Sequence, residues 1–314
     1  MLSVVIPCYN EQEVLPTVFA RISGVAEQWG ENWEILLVDD GSRDRTWGMI
    51  EEFHRRDPRW KGICLARNFG HQAAVGAGLE HARGDAVAVL DADLQDPPEL
   101  VTEMLARWKE DCDVVYGIRT QRPEGWLKRF CYAAFYRILI RSTDVHLPAD
   151  AGDFCLMDRR VVEALRAFPE QHPFWRGLRC WTGFRHAGIP YVRQGRQAGQ
   201  SQYTLRKLFK LATDGILCLS QTPLKAIGWF GALSAIAVLG LAAPLGLWGS
   251  SAATATALMW CGLFLGSVQL LSLGVLGQYL GRVYDEVRRR PRWVIAATVG
   301  VESGIIAMPR RLAG

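Results

Sequence analysis

No aspartate, glutamate, lysine or arginine occurs between Lys225 and Arg282 in this chain of 314 residues. A helix lying in water carries charge on its outer face, so this gap excludes a solvated surface for the segment. The eight cysteines form no C-x-x-C pair and have no histidine partner at zinc-ligand spacing. That excludes a zinc module and a disulfide framework, and predicts packed thiols in a reduced compartment. Neither G-x-G-x-x-G nor G-x-x-x-x-G-K-[ST] is present, so a dinucleotide oxidoreductase and a P-loop phosphotransferase both lack their phosphate cradle. A formal net charge of +4 is too small to imply a nucleic-acid partner. No basic segment precedes the first apolar run, and Pro7 interrupts that run early, which argues against a signal peptide.

With 49% of its residues hydrophobic, the chain has enough apolar material for a sizeable core. Runs at 2–7, 34–38, 61–65, 86–90 and 113–117 read as buried strands, with helical segments at 13–29, from 45, at 72–82 and after Pro97. This alternation predicts a mostly parallel sheet with helices on both faces. Ligands of such sheets gather outside the carboxyl ends of the strands. Asp39 and Asp40 end the second strand, and Asp91 and Asp93 end the fourth, so the four acids share that edge. Carboxylate oxygens suit Mg²⁺ or Mn²⁺, above all a cation that also holds a diphosphate. Each acidic stretch alone also reads as a solvated turn or a helix cap. Their convergence on one edge favours the metal reading. Asp44 and Asp96 are placed to cap the helices that follow them. His71, at a helix start, reads either as a structural group or as a phosphate contact, and Asp153 is a further acid able to face the same edge.

Residues 122–141 mix aromatic and basic side chains, which suits either a membrane surface or a helix packed on the sheet. The run from Arg193 to Tyr203 reads as a polar loop, and a helix at 204–220 turns apolar after Lys207 and Lys210. Two uncharged stretches, 226–249 and 259–281, are each long enough to cross a hydrocarbon core of ~30 Å. Lys225 precedes the first, and Arg282, Arg288, Arg289, Arg290 and Arg292 follow the second, so the positive-inside rule puts both ends in the cytoplasm. The apolar tail from Trp293 to Met308 is too broken by Gly and Glu302 for a third span. The expected organisation is a cytoplasmic catalytic domain over 1–203, an interfacial helical region over 204–224, two transmembrane helices within 225–281, and a cytoplasmic basic segment and tail over 282–314.

Taken in order, Val5-Ile6-Pro7-Cys8-Tyr9-Asn10-Glu11, Val38-Asp39-Asp40-Gly41-Ser42, Arg67-Asn68-Phe69-Gly70-His71, Asp91-Ala92-Asp93-Leu94-Gln95-Asp96-Pro97-Pro98, Gly152-Asp153-Phe154 and Tyr279 to Val287 form one pattern. The pattern resembles the polyprenyl-phosphate glycosyltransferases of family 2. The resemblance implies an α/β fold, a Rossmann-like GT-A glycosyltransferase domain followed by two transmembrane helices. It implies that Pro7, Tyr9, Glu11, Asp39, Asp40 and Asp91 serve the nucleotide, that Asp91, Asp93 and Gln95 hold Mg²⁺ or Mn²⁺, and that Asp93 and Asp153 are catalytic. It also implies that Arg119, Arg129, Arg196 and Ser201 contact the acceptor phosphate. Two departures are visible. Gln200-Ser201-Gln202 stands where family members often have Glu-Ser-Lys, and Ala133 stands where relatives can have Ser.

The activity this implies is inverting, metal-dependent transfer of a hexose, glucose from UDP-glucose by preference, to undecaprenyl phosphate at a bacterial inner membrane. The product is a lipid-linked sugar for cell-envelope glycan modification. Mannose or an aminoarabinose derivative is an alternative sugar. Asp153 acts as a base or only positions groups. The expected partners are a nucleotide-sugar donor, a polyprenyl phosphate acceptor and the lipid bilayer, with no nucleic acid. Apolar spans rich in Gly and Ala also allow a homo-oligomer. A processive polysaccharide synthase is disfavoured because the Gln-x-x-Arg-Trp motif is absent and two spans make a poor channel. A membrane partner that binds nucleotide sugar without turnover is disfavoured by the intact acids.

Overall fold

The computed structural model describes residues 1–120, 151–193, 222–248 and 251–301. In chain order these hold β1 (Leu2–Cys8), α1 (Leu15–Ala26), β2 (Trp33–Asp39), α2 (Thr46–Arg56), β3 (Trp60–Leu65), α3 (His71–His81), β4 (Ala86–Val89), α4 (Leu100–Lys109) and β5 (Val114–Arg119). There follow β6 (Ala151–Asp158), α5 (Arg159–Arg166), α6 (Trp175–Trp181), β7 (His186–Tyr191), α7 (Thr222–Trp248), α8 (Ser251–Arg288) and β8 (Ile295–Val299). The strands form one sheet in the order β7-β5-β6-β4-β1-β2-β3-β8. Its centre, β4-β1-β2-β3, is parallel, whereas β6 and β8 run antiparallel to their neighbours. The five strands read from the sequence are all present, as are the crossover helices between them.

Side chains alternate across the sheet, and both faces are apolar. Leu2, Val4 and Ile6 of β1 with Ile35 and Leu37 of β2 pack under α1, α2 and α4 through Leu15, Val18, Ile22, Ile50, Phe53, Val101 and Met104. On the other face Val5, Leu36 and Val38 meet α3, α5 and α6 through Ala74, Ala77, Val161, Leu165 and Trp175. This two-sided burial explains why the central strands read as continuous apolar runs rather than alternating ones. The small residues of α3 let it lie close. A Cβ on Gly78 would stand 2.2 Å from a methyl of Val5.

After α8 the chain returns to the sheet. β8 pairs with β3 through Gly62↔Val299 and Ile63↔Thr298, so part of the tail expected over 282–314 is the edge strand of the catalytic sheet. The sequence concealed this because Ile295-Ala296-Ala297-Thr298-Val299 is a short apolar run of no evident period beside a basic cluster. Helices α7 and α8 are long and apolar enough to cross a membrane, at Thr222–Gly240 and Thr254–Arg288, and almost none of those windows is buried in the protein.

Candidate active site

The carboxyl ends of β1, β2, β3 and β4 lie side by side, and their loops build one edge. Asp40 N–H donates to the carbonyl of Cys8 at 2.9 Å, Asn10 N–H to Ser42 Oγ at 2.9 Å, and Arg43 N–H to Asn10 Oδ1 at 2.9 Å. Glu11 N–H donates to Thr46 Oγ1 at 2.9 Å, which ties the same loop to α2. Pro7 lies within β1 opposite Val38, and Tyr9 follows, partly exposed. Pro7, Tyr9, Glu11 and Asp39 are thus brought together on adjacent strand ends.

The two acids of the β2 turn have separate surroundings. Asp39 is fully buried, accepting from Ser42 N–H at 2.9 Å with the Cys64 thiol 3.4 Å away. Asp40 accepts from Phe69 N–H at 2.7 Å and Gly70 N–H at 2.9 Å, so it holds the β3–α3 loop against the β2 turn. Burial pushes the Asp40 carboxyl up, and those two bonds oppose the rise. Its two carboxylate oxygens each accept one of these backbone N–H groups. Gly41 makes this close approach feasible. Its φ is +69°, and a Cβ there would lie 2.4 Å from the carbonyl carbon of Arg67.

Beyond β4 the chain turns sharply at Leu94, a buried leucine with φ of 53°, a conformation L residues adopt at a cost of roughly 1–2 kcal/mol. The turn sets Gln95 N–H 3.2 Å from Asp93 Oδ1. On the other side β6 runs antiparallel to β4 with Val89 opposite Cys155, and Asp153 stands two residues before Cys155 in β6. Asp153 therefore lies inside a strand, not before one. His71 Nε2 lies 3.8 Å from Asp91 Oδ1 and 3.6 Å from Asp153 Oδ2. Arg176 of α6 reaches Asp153 Oδ1 at 3.3 Å, and Gln72 Nε2 donates to Asp153 Oδ2 at 3.4 Å.

The charges around these groups are unequal. Burial lifts the Asp91 carboxyl to about 6; His71 pulls it back, while Asp96, Asp153 and Asp93 push it further up. Burial acts on Asp153 too, but Arg176, His71 and Arg179 hold it well below the usual carboxylate range. For His71, burial disfavours the charged ring, yet its bond to Asp153 and the charge of Asp91 raise it to about 9. The edge thus holds one carboxylate fully compensated by cations and another short of positive charge. Among the described residues no three His, Cys, Asp or Glu side chains form a complete metal cage.

Asp96 is corrected by the structure. It does not cap the next helix, which starts at Leu100 with Glu99 in the cap position and no side-chain bond. Its buried carboxylate accepts from the Tyr191 hydroxyl, lies 3.4 Å from Arg119 Nη2 and lies 3.5 Å from Arg193 Nε. Asp96 raises the Arg119 guanidinium further above its ordinary range, against the effect of burial. Asp44 does receive Thr46 N–H at 3.0 Å, close to its expected capping place, and also Gln12 N–H at 3.2 Å. Arg129, Arg196 and Ser201 lie outside the described residues. Sequence reasoning did not find Gln72, Arg176 or Tyr191, since each joins the site only through β6, α6 or β7, and no local spacing links them to Asp91 or Asp96.

Residues 3–166 match the family model described as Glycosyl transferase family 2. The chain belongs to this family and is a glycosyltransferase. The matched segment runs from β1 through α5 and so contains the acids at 39, 40, 91, 93, 96 and 153, whereas Arg176, Tyr191 and Arg193 lie beyond it. Among its relatives in full-length comparison, the uncharacterized glycosyltransferase YkcC of Bacillus subtilis (strain 168) is 42% identical over 96% of this chain and 95% of its own. A Synechocystis glycosyltransferase is 41% identical over 96% of both chains. The bactoprenol glucosyl transferase derived from prophage SfII in Shigella flexneri is 35% identical over 94% of this chain and 97% of its own. In this glycosyltransferase the sheet is therefore of the GT-A type, with two long apolar helices placed between β7 and the returning strand β8.

Proposed function

We propose that this glycosyltransferase moves glucose from UDP-glucose to undecaprenyl phosphate, with inversion, at the cytoplasmic face of a bacterial inner membrane. The observation that carries the reading is the Asp91–Asp93 turn. Its half-buried first carboxylate is surrounded by further carboxylates that oppose its ionisation, beside an Asp153 already paired with His71 and Arg176. Such a pair fits a divalent cation, because Mg²⁺ and Mn²⁺ are commonly held by one or two carboxylates together with substrate phosphates rather than by an all-protein cage. Asp91 and Asp93 would hold Mg²⁺ or Mn²⁺, with Gln95 as a neutral oxygen donor. When bound, the cation supplies charge neutralisation for the departing nucleoside diphosphate.

The protein's own groups do the rest. Pro7, Tyr9, Glu11 and Asp39 line the nucleotide, and Asp40 braces their loops from behind. The acceptor phosphate is already an anion at neutral pH, so its oxygen attacks the anomeric carbon without a strong base. Asp153, with its depressed pKa, is a poor base, and it orients His71 and Arg176 toward the reacting groups. Arg119, fixed by Asp96, presents positive charge to the acceptor phosphate, and the resemblance adds Arg129, Arg196 and Ser201 there. Support for the acceptor comes from the relatives whose names state bactoprenol glucosyl transfer, and from two exposed apolar helices that suit a lipid-borne substrate.

Purified full-length protein offered a panel of nucleotide sugars with undecaprenyl phosphate and Mg²⁺ or Mn²⁺ should form lipid-linked glucose from UDP-glucose. Asp93→Asn should lower the rate at least about a hundredfold, the scale of losing a group that stabilises developing charge. Undiminished transfer by that variant with metal present would sink the assignment.

A further inference from the structure

The end of α8 is joined to the loop before α6 by contacts that the reaction scheme does not use. Glu286, in the last turns of α8, accepts the backbone N–H of Gln171 through Oε1 at 2.7 Å. Beside it Asp285 Oδ2 lies 3.4 Å from His172 Nε2. After the helix, Arg292 Nη1 donates to the Phe168 carbonyl at 3.5 Å, and its guanidinium lies 5.0 Å from the Trp293 ring centre and 6.0 Å from that of Trp175. Trp293 packs with Trp175 over Gly76 of α3, where a Cβ would come within 2.8 Å of both rings. The same loop feeds directly into site residues. Trp175 donates from its backbone to Gln72 Oε1 at 3.3 Å and from its ring to the Gln72 carbonyl at 2.7 Å, and Arg176 is the partner of Asp153.

We propose that Glu286 is a positioning residue that couples the apolar helix α8 to the catalytic edge through residues 171–176. A carboxylate accepting one backbone N–H fixes where the loop starts, and Trp175 and Arg176 fix where it ends. The exposed Asp285–His172 pair adds little by itself, as exposed ion pairs usually do. Glu286 touches no reacting atom. Its effect is to hold Arg176 and Gln72 on Asp153 while setting that edge at a fixed height relative to the helix. The substrate side of this inference rests on the acceptor being lipid-borne, as proposed above.

The test uses full-length protein in lipid nanodiscs and three versions: wild type, Glu286→Ala and Glu286→Gln. An amide carbonyl accepts the same N–H, so Glu286→Gln should stay within about twofold of wild type in every assay. Glu286→Ala should lower kcat/KM for embedded undecaprenyl phosphate at least about tenfold while UDP binding stays within about twofold. It should also raise hydrogen exchange of peptides covering 170–177 at least about tenfold, with β1 and β2 peptides unchanged. Unchanged exchange in the loop, or equal loss in the Ala and Gln variants, overturns the proposal, as does a parallel fall in UDP binding. If wild type transfers no sugar to the lipid, the acceptor reading fails, and the exchange measurement still decides the coupling.

Discussion

At Asp91, burial and three neighbouring carboxylates work against ionisation, and the charges of His71 and Arg119 work for it. A proton and a divalent cation therefore compete for the same oxygens. Below a pH of about 6 the carboxyl is protonated, so the apparent Mn²⁺ affinity should fall by about tenfold per pH unit as pH drops, and level off above it. Mn²⁺ titration followed by electron paramagnetic resonance checks this, and a flat profile from about pH 5 to about pH 7 would contradict it. Asp96 is the opposite case, a fully buried carboxylate whose neighbours are Tyr191, Arg119 and Arg193. Replacing it with alanine leaves the half-buried guanidiniums of Arg119 and Arg193 without their counter-charge, so Asp96→Ala should destabilise the fold by about 3 kcal/mol in denaturant titration. Asp96→Asn, which keeps an acceptor for the tyrosine hydroxyl, should cost less.

The turns at the strand ends work as elements because their backbones interlock. The β2 turn and the loop before α3 touch through Asp40 and through the bare Cα of Gly41. In Gly41→Ala a methyl group meets backbone that cannot move aside, in a left-handed conformation that alanine disfavours. UDP affinity measured calorimetrically should fall about tenfold, roughly the weight of 1–2 kcal/mol of lost preorganisation, whereas an unchanged affinity would show that this contact does not shape the nucleotide site. The same elements show what a sequence carries. Strands β1 to β5 were legible because burial on both faces leaves uninterrupted apolar runs, and the acids at 39, 40, 91 and 93 were legible because each directly follows one. Arg176, Gln72 and Tyr191 were not, since they meet Asp153 and Asp96 through an antiparallel insertion whose register no local pattern announces. Strand β8 stayed hidden for a related reason. Its partner β3 lies more than two hundred residues earlier in the chain, and its own five residues are too few to show a period.

For the whole molecule, β8 constrains the topology. The chain enters α7 after the catalytic sheet and rejoins that sheet once α8 has ended, so helices that cross a bilayer in between must do so an even number of times. Two apolar helices meet that condition, and on the proposed reading Lys225 before the first and the arginines at 282, 288, 289, 290 and 292 after the second put the outer ends of the pair in the cytoplasm by the positive-inside rule. A protease site inserted after Gly249 should then be cut from outside in intact spheroplasts, while one inserted after Gly30, in the exposed turn before β2, should be protected; the reverse pattern would invert the orientation. On that proposed arrangement the catalytic sheet and a lipid-borne acceptor meet at the same surface. The most direct test is acceptor-dependent turnover by the purified full-length protein in nanodiscs, with radiolabelled UDP-glucose and Mn²⁺. With glucose transfer to the lipid as the reaction, adding undecaprenyl phosphate accelerates UDP release and label moves into the lipid in equal amount. UDP release at the same rate with and without the lipid, with no label in the lipid phase, would contradict it.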